Sequence, residues 1–437
     1  MANLLKEQQD ILNKLNIQAL NPMQEEALLA IEHTPNTVIL SPTGTGKTLA
    51  FLLPMLKLLE PEVQDVQALI VVPTRELAIQ IEQVLREMGT GFKVNAVYGG
   101  RPMSKDKIEI KHVPAILIGT PGRILDHFSN NRFTRDAIKF LILDEFDKSL
   151  EQGFEEEMRG ILNQLPNLEK RVLTSSTQGV NIPHFVKLHQ PLILNYLDVA
   201  VKSKLAIKTV ISPSLDKANT LVDLLHHIGP KQGIVFCNFR DSIESVSDIL
   251  RHKNISHACF SGGMEQKDRE RALITFRNGS SQVLLATDLA ARGIDIPELN
   301  FIIHYELPHA KEEFTHRNGR TARVNAKGTA YVLKGSQEEL PEFIDQDNPI
   351  DISKKAAFKA PFWDTLFISG GRKDKISKGD IAGLFLKQGG LTKDQLGIIE
   401  LKQDCAFVAV PKTMANELAD RLNNSRLKKK KVRIYIL

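Results

Sequence analysis

The stretch Val38-Ile39-Leu40-Ser41-Pro42-Thr43-Gly44-Thr45-Gly46-Lys47-Thr48 sets the reading of the whole chain. Three apolar residues predict a short buried strand, and the apolar spacing from Leu49 to Leu59 predicts a helix. The Gly-rich turn between them ends in Lys-Thr. Glycines let successive backbone N–H groups wrap an anion, and the helix N-terminus that follows adds a positive dipole end. In such a turn Thr43, Gly44, Thr45 and Gly46 form the phosphate cradle. Lys47 reaches the outer phosphates, and Thr48 holds Mg2+. Ser41 stands where the strict pattern has its first Gly.

A second element belongs with this one. Phe140-Leu141-Ile142-Leu143 predicts another buried strand, and it ends in Asp144-Glu145. Phosphoryl transfer is chiefly positioning and charge neutralisation. Asp144 is therefore assigned to Mg2+ and Glu145 to the attacking water. An acidic pair after a strand means little alone, but it gains weight downstream of a strand, phosphate loop and helix.

Working outward, short apolar runs alternate with helical patterns. In the first half strands are predicted at 38–40, 68–72, 94–98, 115–118, 140–143 and 171–174. In the second half they are predicted at 233–237, 283–286, 301–305 and 329–333. Continuous apolar strands alternating with helices predict parallel sheets covered on both faces. Two α/β domains follow one another, 1–200 and 201–345, joined around 196–205. A polar, Pro-containing linker is expected over 346–363. The remainder, 364–437, reads as strand, helix, two strands, helix, strand, which is the ferredoxin-like α+β order used by RNA-recognition modules.

Composition narrows the function classes. The chain has 437 residues, 42% hydrophobic and 25% charged, as in ordinary globular proteins. It has no apolar run of membrane length and no secretory pattern at the N-terminus. Three scattered cysteines, Cys237, Cys259 and Cys405, fit neither a disulfide framework nor a metal site. A cytoplasmic protein without membrane partners is expected. The net charge of +5 is unevenly placed. Residues 364–437 hold 15 Lys and Arg against 8 Asp and Glu, while the rest of the chain holds 42 against 44. A basic appendage on a near-neutral body suggests a polyanion-binding module; a solubilising tail is the competing reading.

Phosphoryl transfer also uses positive charge from a second domain. His316-Arg317-Asn318-Gly319-Arg320-Thr321-Ala322-Arg323 lies in the second α/β domain, with Arg320 and Arg323 spaced to share one side of a helix. At this point a family resemblance becomes specific. The chain from about Gln18 to Leu333 resembles the DEAD-box RNA helicases of superfamily 2. Pro73-Thr74-Arg75-Glu76-Leu77-Ala78, Gly99-Gly100 and Thr120-Pro121-Gly122-Arg123 match in family order. So do Asp144-Glu145-Phe146-Asp147, Ser175-Ser176-Thr177, Gln266 to Arg269, Ala286-Thr287-Asp288 through Asp295, and the His316–Arg323 segment.

The resemblance implies two RecA-like domains that close on ATP and RNA, with Arg320 and Arg323 completing the ATP site. It implies cofactor contacts from Gln24 and Asp295. RNA contacts are implied for Thr74, Arg75, Gly99, Gly100, Thr120 and Arg123 in the first domain and for Arg269, Thr287 and Asp288 in the second. Coupling between domains is implied for Asp147, Ser175, Thr177 and His316. Backbone contacts of this kind carry no base information, so the core should bind RNA with little sequence preference. A DNA helicase and an ATP-gated RNA clamp with weak turnover are the alternatives.

Several positions depart from the family. Phe146 replaces Ala in the name-giving tetrad, Ser176 replaces Ala, and Asn318 and Ala322 replace a branched residue and Gly. Ile17 stands where an aromatic usually stacks on the adenine, while Gln24 keeps the base-pairing amide. The C-terminal segment Leu366–Leu437 resembles the RNA-binding domain of DbpA-type bacterial helicases, through Gly370–Ile376, Gly397–Glu400 and Phe407–Val410. That resemblance implies a structured ribosomal RNA as partner and work in large-subunit assembly. Arg372, Lys373 and Lys375, with Lys428–Lys431, are the candidate phosphate contacts. Phe367 and Phe407 are the candidate stacking residues, with core packing as the other reading. The oligomeric state stays open, a monomer being favoured.

Overall fold

The structure is a computed structural model that describes residues 8–177, 182–197, 204–214, 216–288, 299–321, 327–344, 349–352 and 359–437. These fall into two compact units, one holding described residues up to 197 and one holding those from 204 on.

In the first unit β1 (Asn36–Leu40), β2 (Ala68–Val71), β3 (Val94–Val97), β4 (Ile116–Gly119), β5 (Phe140–Leu143), β6 (Lys170–Ser175) and β7 (Leu192–Asn195) form one sheet in the order β3-β4-β2-β5-β6-β1-β7. Every pairing in it is parallel. Its helices are α1 (Gln8–Lys14), α2 (Pro22–His33), α3 (Lys47–Leu58), α4 (Arg75–Met88), α5 (Met103–Ile110), α6 (Pro121–Ser129), α7 (Phe146–Glu151) and α8 (Glu155–Leu162). Strands such as Phe140–Leu143 are buried at every residue, because helices cover both faces. One core lies against α2, α3 and α4, and the other against α6, α7 and α8.

The second unit begins with a parallel sheet in the order β10-β11-β9-β12-β13-β8. Its strands are β8 (Lys204–Ser212), β9 (Gly233–Phe236), β10 (His257–Phe260), β11 (Val283–Ala286), β12 (Phe301–His304) and β13 (Lys327–Gly335). The helices are α9 (Ala218–Ile228), α10 (Arg240–His252), α11 (Gln266–Arg277) and α12 (Lys311–Asn318). The same unit contains the C-terminal sheet, antiparallel in the order β15-β16-β14-β19. Here β14 is Trp363–Ile368, β15 Ile399–Leu401, β16 Ala406–Pro411 and β19 Ile434–Ile436. Helices α13 (Lys378–Gly383) and α14 (Ala415–Leu422) cover one face, and a small hairpin, β17 (Arg426–Leu427) with β18 (Lys430–Lys431), precedes β19.

The expected fold class is present, two parallel sheets followed by a small α+β module, with three corrections. Strands β7, β8 and β10 had no counterpart in the sequence reading. All three lie at sheet edges, where the continuous apolar run expected of a central strand is not required. The expected linker is not wholly free: Pro349 bridges to Thr209, the Ile350 amide donates to the Thr209 carbonyl at 2.9 Å, and Ile350 and Ile352 pack on the second α/β core. Arg320 is not helical, because α12 stops at Asn318 and Thr321 bridges to Leu299.

Candidate nucleotide and RNA site

Strand β1 runs straight into the phosphate loop, where Gly44 and Gly46 take φ of 81° and 90°. A side chain at Gly46 is excluded twice, by that backbone and by the Gln24 amide, into which its Cβ would run. Gln24 and Asn21 cap α2 reciprocally: the Gln24 amide N–H donates to Asn21 Oδ1 and the Asn21 N–H to Gln24 Oε1, both at 3.0 Å. The same two side chains brace the loop. Asn21 Nδ2 donates to the Thr45 carbonyl at 2.9 Å, and Gln24 Nε2 to the Gly46 carbonyl at 3.2 Å. Gln24 still keeps one N–H and one lone pair for a base edge.

Gln24→Ala therefore removes a brace of the phosphate loop and, if the expected role holds, a reader of adenine. ATP turnover is expected to fall about tenfold or more, and GTP turnover only a few-fold. Steady-state rates with both nucleotides check this, and equal losses would leave Gln24 as a brace alone. Ile17 packs on the core beside α2.

Within the loop the Lys47 ammonium donates to the Ser41 and Pro42 carbonyls, the second at 2.9 Å. Ser41 Oγ donates to Thr45 Oγ1 at 2.7 Å, which in turn donates to the Pro42 carbonyl at 2.9 Å. Ser41 thus closes the loop with its hydroxyl at the position where the strict pattern has Gly. Thr43, Gly44, Thr45 and Thr48 all lie at least partly open to solvent.

Asp144 follows β5 and is buried, with Thr174 of β6 donating to its Oδ1. The Thr174 hydroxyl oxygen also accepts from the Glu145 amide at 3.0 Å. Glu145 sits in the left-handed region, φ 48° and ψ 50°, a conformation costly for a residue with a Cβ. Burial pushes the Asp144 carboxyl up, against the Thr174 hydrogen bond and the nearby Lys47 charge. A buried carboxylate with its pKa raised in the bare protein suits a cation, and Thr48 and Asp144 are the residues that would hold Mg2+.

Because the folded pKa is raised, the native state holds this proton more tightly than the unfolded chain does. Stability without metal then falls as pH rises from the ordinary carboxylate range through the raised value. Asp144→Asn is expected to stabilise the metal-free protein by on the order of 1 kcal/mol while abolishing Mg2+-dependent turnover. Thermal melts with and without Mg2+ and ATP check it; a destabilised variant would contradict the cost assigned to the carboxylate.

Phe146 begins α7 and is 1% exposed. Its ring packs in the core with Val38, Leu143, Leu173 and Val186, so it does not occupy the nucleotide site. The tetrad's last residue, Asp147, is also buried and accepts from Thr177 Oγ1 at 3.0 Å. Ser175 Oγ accepts from the Thr177 amide at 3.1 Å, and the Ser175 carbonyl accepts from the Ser41 amide at 3.1 Å. The three predicted coupling residues of this unit therefore join the acidic tetrad to the start of the phosphate loop.

The predicted RNA contacts of the first unit lie after β2, β3 and β4, beside one another at the carboxyl edge of the sheet. Thr74 caps α4, accepting from the Leu77 amide at 3.3 Å. The Arg75 guanidinium lies against Gly99 and Gly100, and Gly100 has φ 79°, so any side chain there would strike it. Thr120 is the N-cap of α6. Arg123 is held from behind by Asp106 at 3.1 Å and the Tyr98 carbonyl at 3.1 Å. Asp106, fully buried, also binds Arg101 at 3.3 Å and meets His127 Nε2 at 3.3 Å. Sequence reading passed over it, since one Asp in a helix carries no signal.

In the second unit Arg269 stacks over Phe260 with 4.7 Å from guanidinium carbon to ring centre. Thr287 is partly exposed at the end of β11. Asp288 is engaged differently from its expected role: both its oxygens accept from Arg317, at 2.7 and 2.5 Å. Arg317, 1% exposed, also donates to the Glu306 carbonyl and to Asn238 Oδ1, each at 2.8 Å, and lies over Phe236. The sequence reading singled out its neighbours and missed it. Asn318 Oδ1 accepts at 3.1 Å from Nε2 of His304, which burial and the Arg317 charge push down to about 3 and so keep neutral. His316 is half-buried on α12 and Arg320 is buried. Asp295 and Arg323 lie outside the described residues.

In the C-terminal module Arg372, Lys373 and Lys375 are exposed on the turn after β14. That turn packs against the β17–β18 hairpin, where Lys430 pairs with Asp374 at 2.8 Å and Lys428 with Asp380 at 3.0 Å. Phe367 touches both Phe407 and Tyr435, with ring centres 5.5 and 4.8 Å apart. Tyr435 was not singled out from the sequence, because its partners come from strands distant in the chain. Among the described residues no helix is long and apolar enough to cross a membrane, and no His, Cys, Asp and Glu cluster forms a metal site.

Comparison with known proteins agrees with this geometry. Residues 21–184 match the DEAD/DEAH box helicase family, 216–325 the helicase conserved C-terminal domain, and 365–436 the DbpA RNA binding domain. The ATP-dependent RNA helicase DbpA of Escherichia coli is 32% identical over 440 residues, covering 98% of this chain and 96% of that one. DbpA of Bacillus subtilis is 30% identical, covering 94% and 93%. Among solved structures, S. cerevisiae Dbp5 bound to RNA and ADP BeF3 matches with a TM-score of 0.70 at 25% identity, covering 80% of this chain and 94% of that one. With a full-length relative of that identity and all three domain families in order, the chain belongs to the DEAD-box ATP-dependent RNA helicases of the DbpA type.

Proposed function

We propose that this helicase uses Mg2+ and ATP to remodel RNA duplexes or RNA–protein complexes locally, held to structured RNA of the large ribosomal subunit by its C-terminal module. One observation carries the remodelling half. The phosphate loop, Asp144–Glu145 and Asp147–Thr177–Ser175 form one bonded series at the carboxyl edge of the sheet that also bears Arg75, Gly100 and Arg123. A change at the nucleotide can therefore reach residues suited to an RNA backbone. Bound Mg2+ would supply charge neutralisation to the phosphates. Lys47 would bind them, Glu145 would orient water, and Arg320 and Arg323 would add positive charge. The ribosomal target rests on the basic module and its match to the DbpA RNA binding domain.

Phe146 does not favour the clamp reading, since its ring is packed in the core. The test is phosphate release from Mg·ATP by the full chain, alone and with random RNA, ribosomal RNA or DNA. Stimulation by ribosomal RNA well above random RNA is expected. Equal stimulation by both RNAs would reject the target, and absence of turnover with every polymer would reject the motor.

A further inference from the structure

Phe239 is 62% exposed, and among the described residues of the two α/β domains no other aromatic side chain is exposed. Single exposed apolar residues are ordinary on a protein surface, so its placement decides what it means. It follows β9 and opens α10, in ordinary extended backbone at φ −122° and ψ 154°.

The chain on either side of it is pinned. The Cys237 amide donates to the Ala286 carbonyl of β11 at 3.0 Å. Asn238 Oδ1 accepts from Arg317 at 2.8 Å, while Asn238 Nδ2 donates to the Leu307 carbonyl at 3.0 Å. The Asn238 amide donates to Glu306 Oε2 at 2.5 Å, and Ser242 Oγ donates to Glu306 Oε1 at 2.7 Å. A ring presented to water on so well fixed a backbone is placed before any ligand arrives, and little ordering entropy is left to lose on contact.

Its neighbours are the expected RNA contacts of this domain. Strand β11 lies between β9 and β10, so the loops after all three open on one edge of the sheet. Thr287 comes directly after the Ala286 carbonyl that Cys237 engages. The Arg240 guanidinium lies against the loop after β10, since a Cβ at Gly263 would come within 2.7 Å of its Nη1. That loop leads into α11 and Arg269, and a Cβ at Gly262 within it would meet nothing within 4 Å. Arg240 pairs with Glu244 at 2.9 Å, but both side chains are 61% exposed. Such a pair is weak enough in water to be exchanged for a phosphate.

We infer that Phe239 stacks on one base of the RNA lying along this edge, with Arg240 meeting the phosphate beside it. The other candidate contacts of the core are cations, hydroxyls, a carboxylate and glycine backbone, groups suited to sugar and phosphate. A Phe ring has nothing to offer a phosphate, and it offers any base a π face. The core therefore senses, at one position, whether a base is present and how well it stacks, whatever its hydrogen-bonding edge. This rests on the reading of Arg269 and Thr287 as RNA contacts.

The test is the affinity of the full chain for a short, unstructured, labelled RNA in Mg2+, ADP and beryllium fluoride. F239A is expected to weaken binding about fivefold to thirtyfold. F239W should restore it, and F239L, which keeps apolar bulk without a flat face, should not. An abasic ribose placed at each position in turn should cost the unaltered chain about fivefold or more at one position, and cost F239A nothing there. The abasic scan of the unaltered chain needs no variant to fold. Absence of a sensitive position, or equal sensitivity in F239A, overturns the stacking. R269A separates that failure from failure of the wider reading. Weakened binding by R269A with none by F239A rejects Phe239 alone and leaves its ring to a protein partner. Indifference to both rejects this edge as the path of the RNA, and the stacking with it.

Discussion

Phe146→Ala, which restores the tetrad usual in the family, is expected to lower the stability of the first domain by about 3–5 kcal/mol. The residue is 1% exposed at the start of α7, among Val38, Leu143, Leu173 and Val186. Removing the ring leaves a cavity between that helix and the sheet that a close-packed core fills only in part. Asp147 and Lys148 follow on the same helix and are themselves buried, so a shift of α7 would also disturb the Asp147–Thr177 bond. Urea unfolding of the full chain, followed by hydrogen exchange in peptides covering β5 and β6, should show a lower midpoint. A variant of unchanged stability and raised turnover would mean that the ring acts on the nucleotide site instead.

Arg317→Ala is expected to cost the second α/β domain about 3–5 kcal/mol and to abolish RNA-stimulated turnover at ordinary temperatures. Arg317 is 1% exposed and satisfies both oxygens of Asp288, the Glu306 carbonyl and Asn238. Truncation would leave these acceptors without their shared donor. It would also remove the cation stacked on Phe236. Arg317→Lys should rescue little, because a single ammonium cannot reproduce the planar fork. Asp288→Asn should cost less than Arg317→Ala, since a neutral amide still offers an acceptor. Hydrogen exchange across β9, β11 and β12 gives the measurement. Equal, small effects from all three variants would show that the network is not structural.

Much of this protein was legible along the chain. The phosphate loop and the acidic tetrad are local in sequence, and each follows a strand buried at every residue or all but its last, so strand, turn and chemistry could be read together. Central strands such as β2, β5 and β11 were visible because burial on both faces demands an uninterrupted apolar run. Edge strands escape that demand. In β8, Lys204 and Lys208 bracket an apolar run of only three residues, Leu205-Ala206-Ile207, and in β7 Leu192 and Ile193 are exposed. Asp106 and Arg317 were illegible for another reason. A charged residue announces burial only through its partners, and these include Arg123 for Asp106 and Asp288 for Arg317, 17 and 29 residues away.

By itself the sequence determined the α/β fold class, the order of its modules and the family, and it marked out the candidate nucleotide-binding residues. Those depend on backbone conformation and residue type over short spans, where periodicity and spacing act directly. The tertiary structure alone decided where the Phe146 ring goes, that Asp288 serves Arg317, and that the outer face of the C-terminal sheet meets the Arg277–Ser280 corner. Each of these depends on which groups meet across long sequence separations once water is excluded. Packing and desolvation decide that, and neither is written in local pattern.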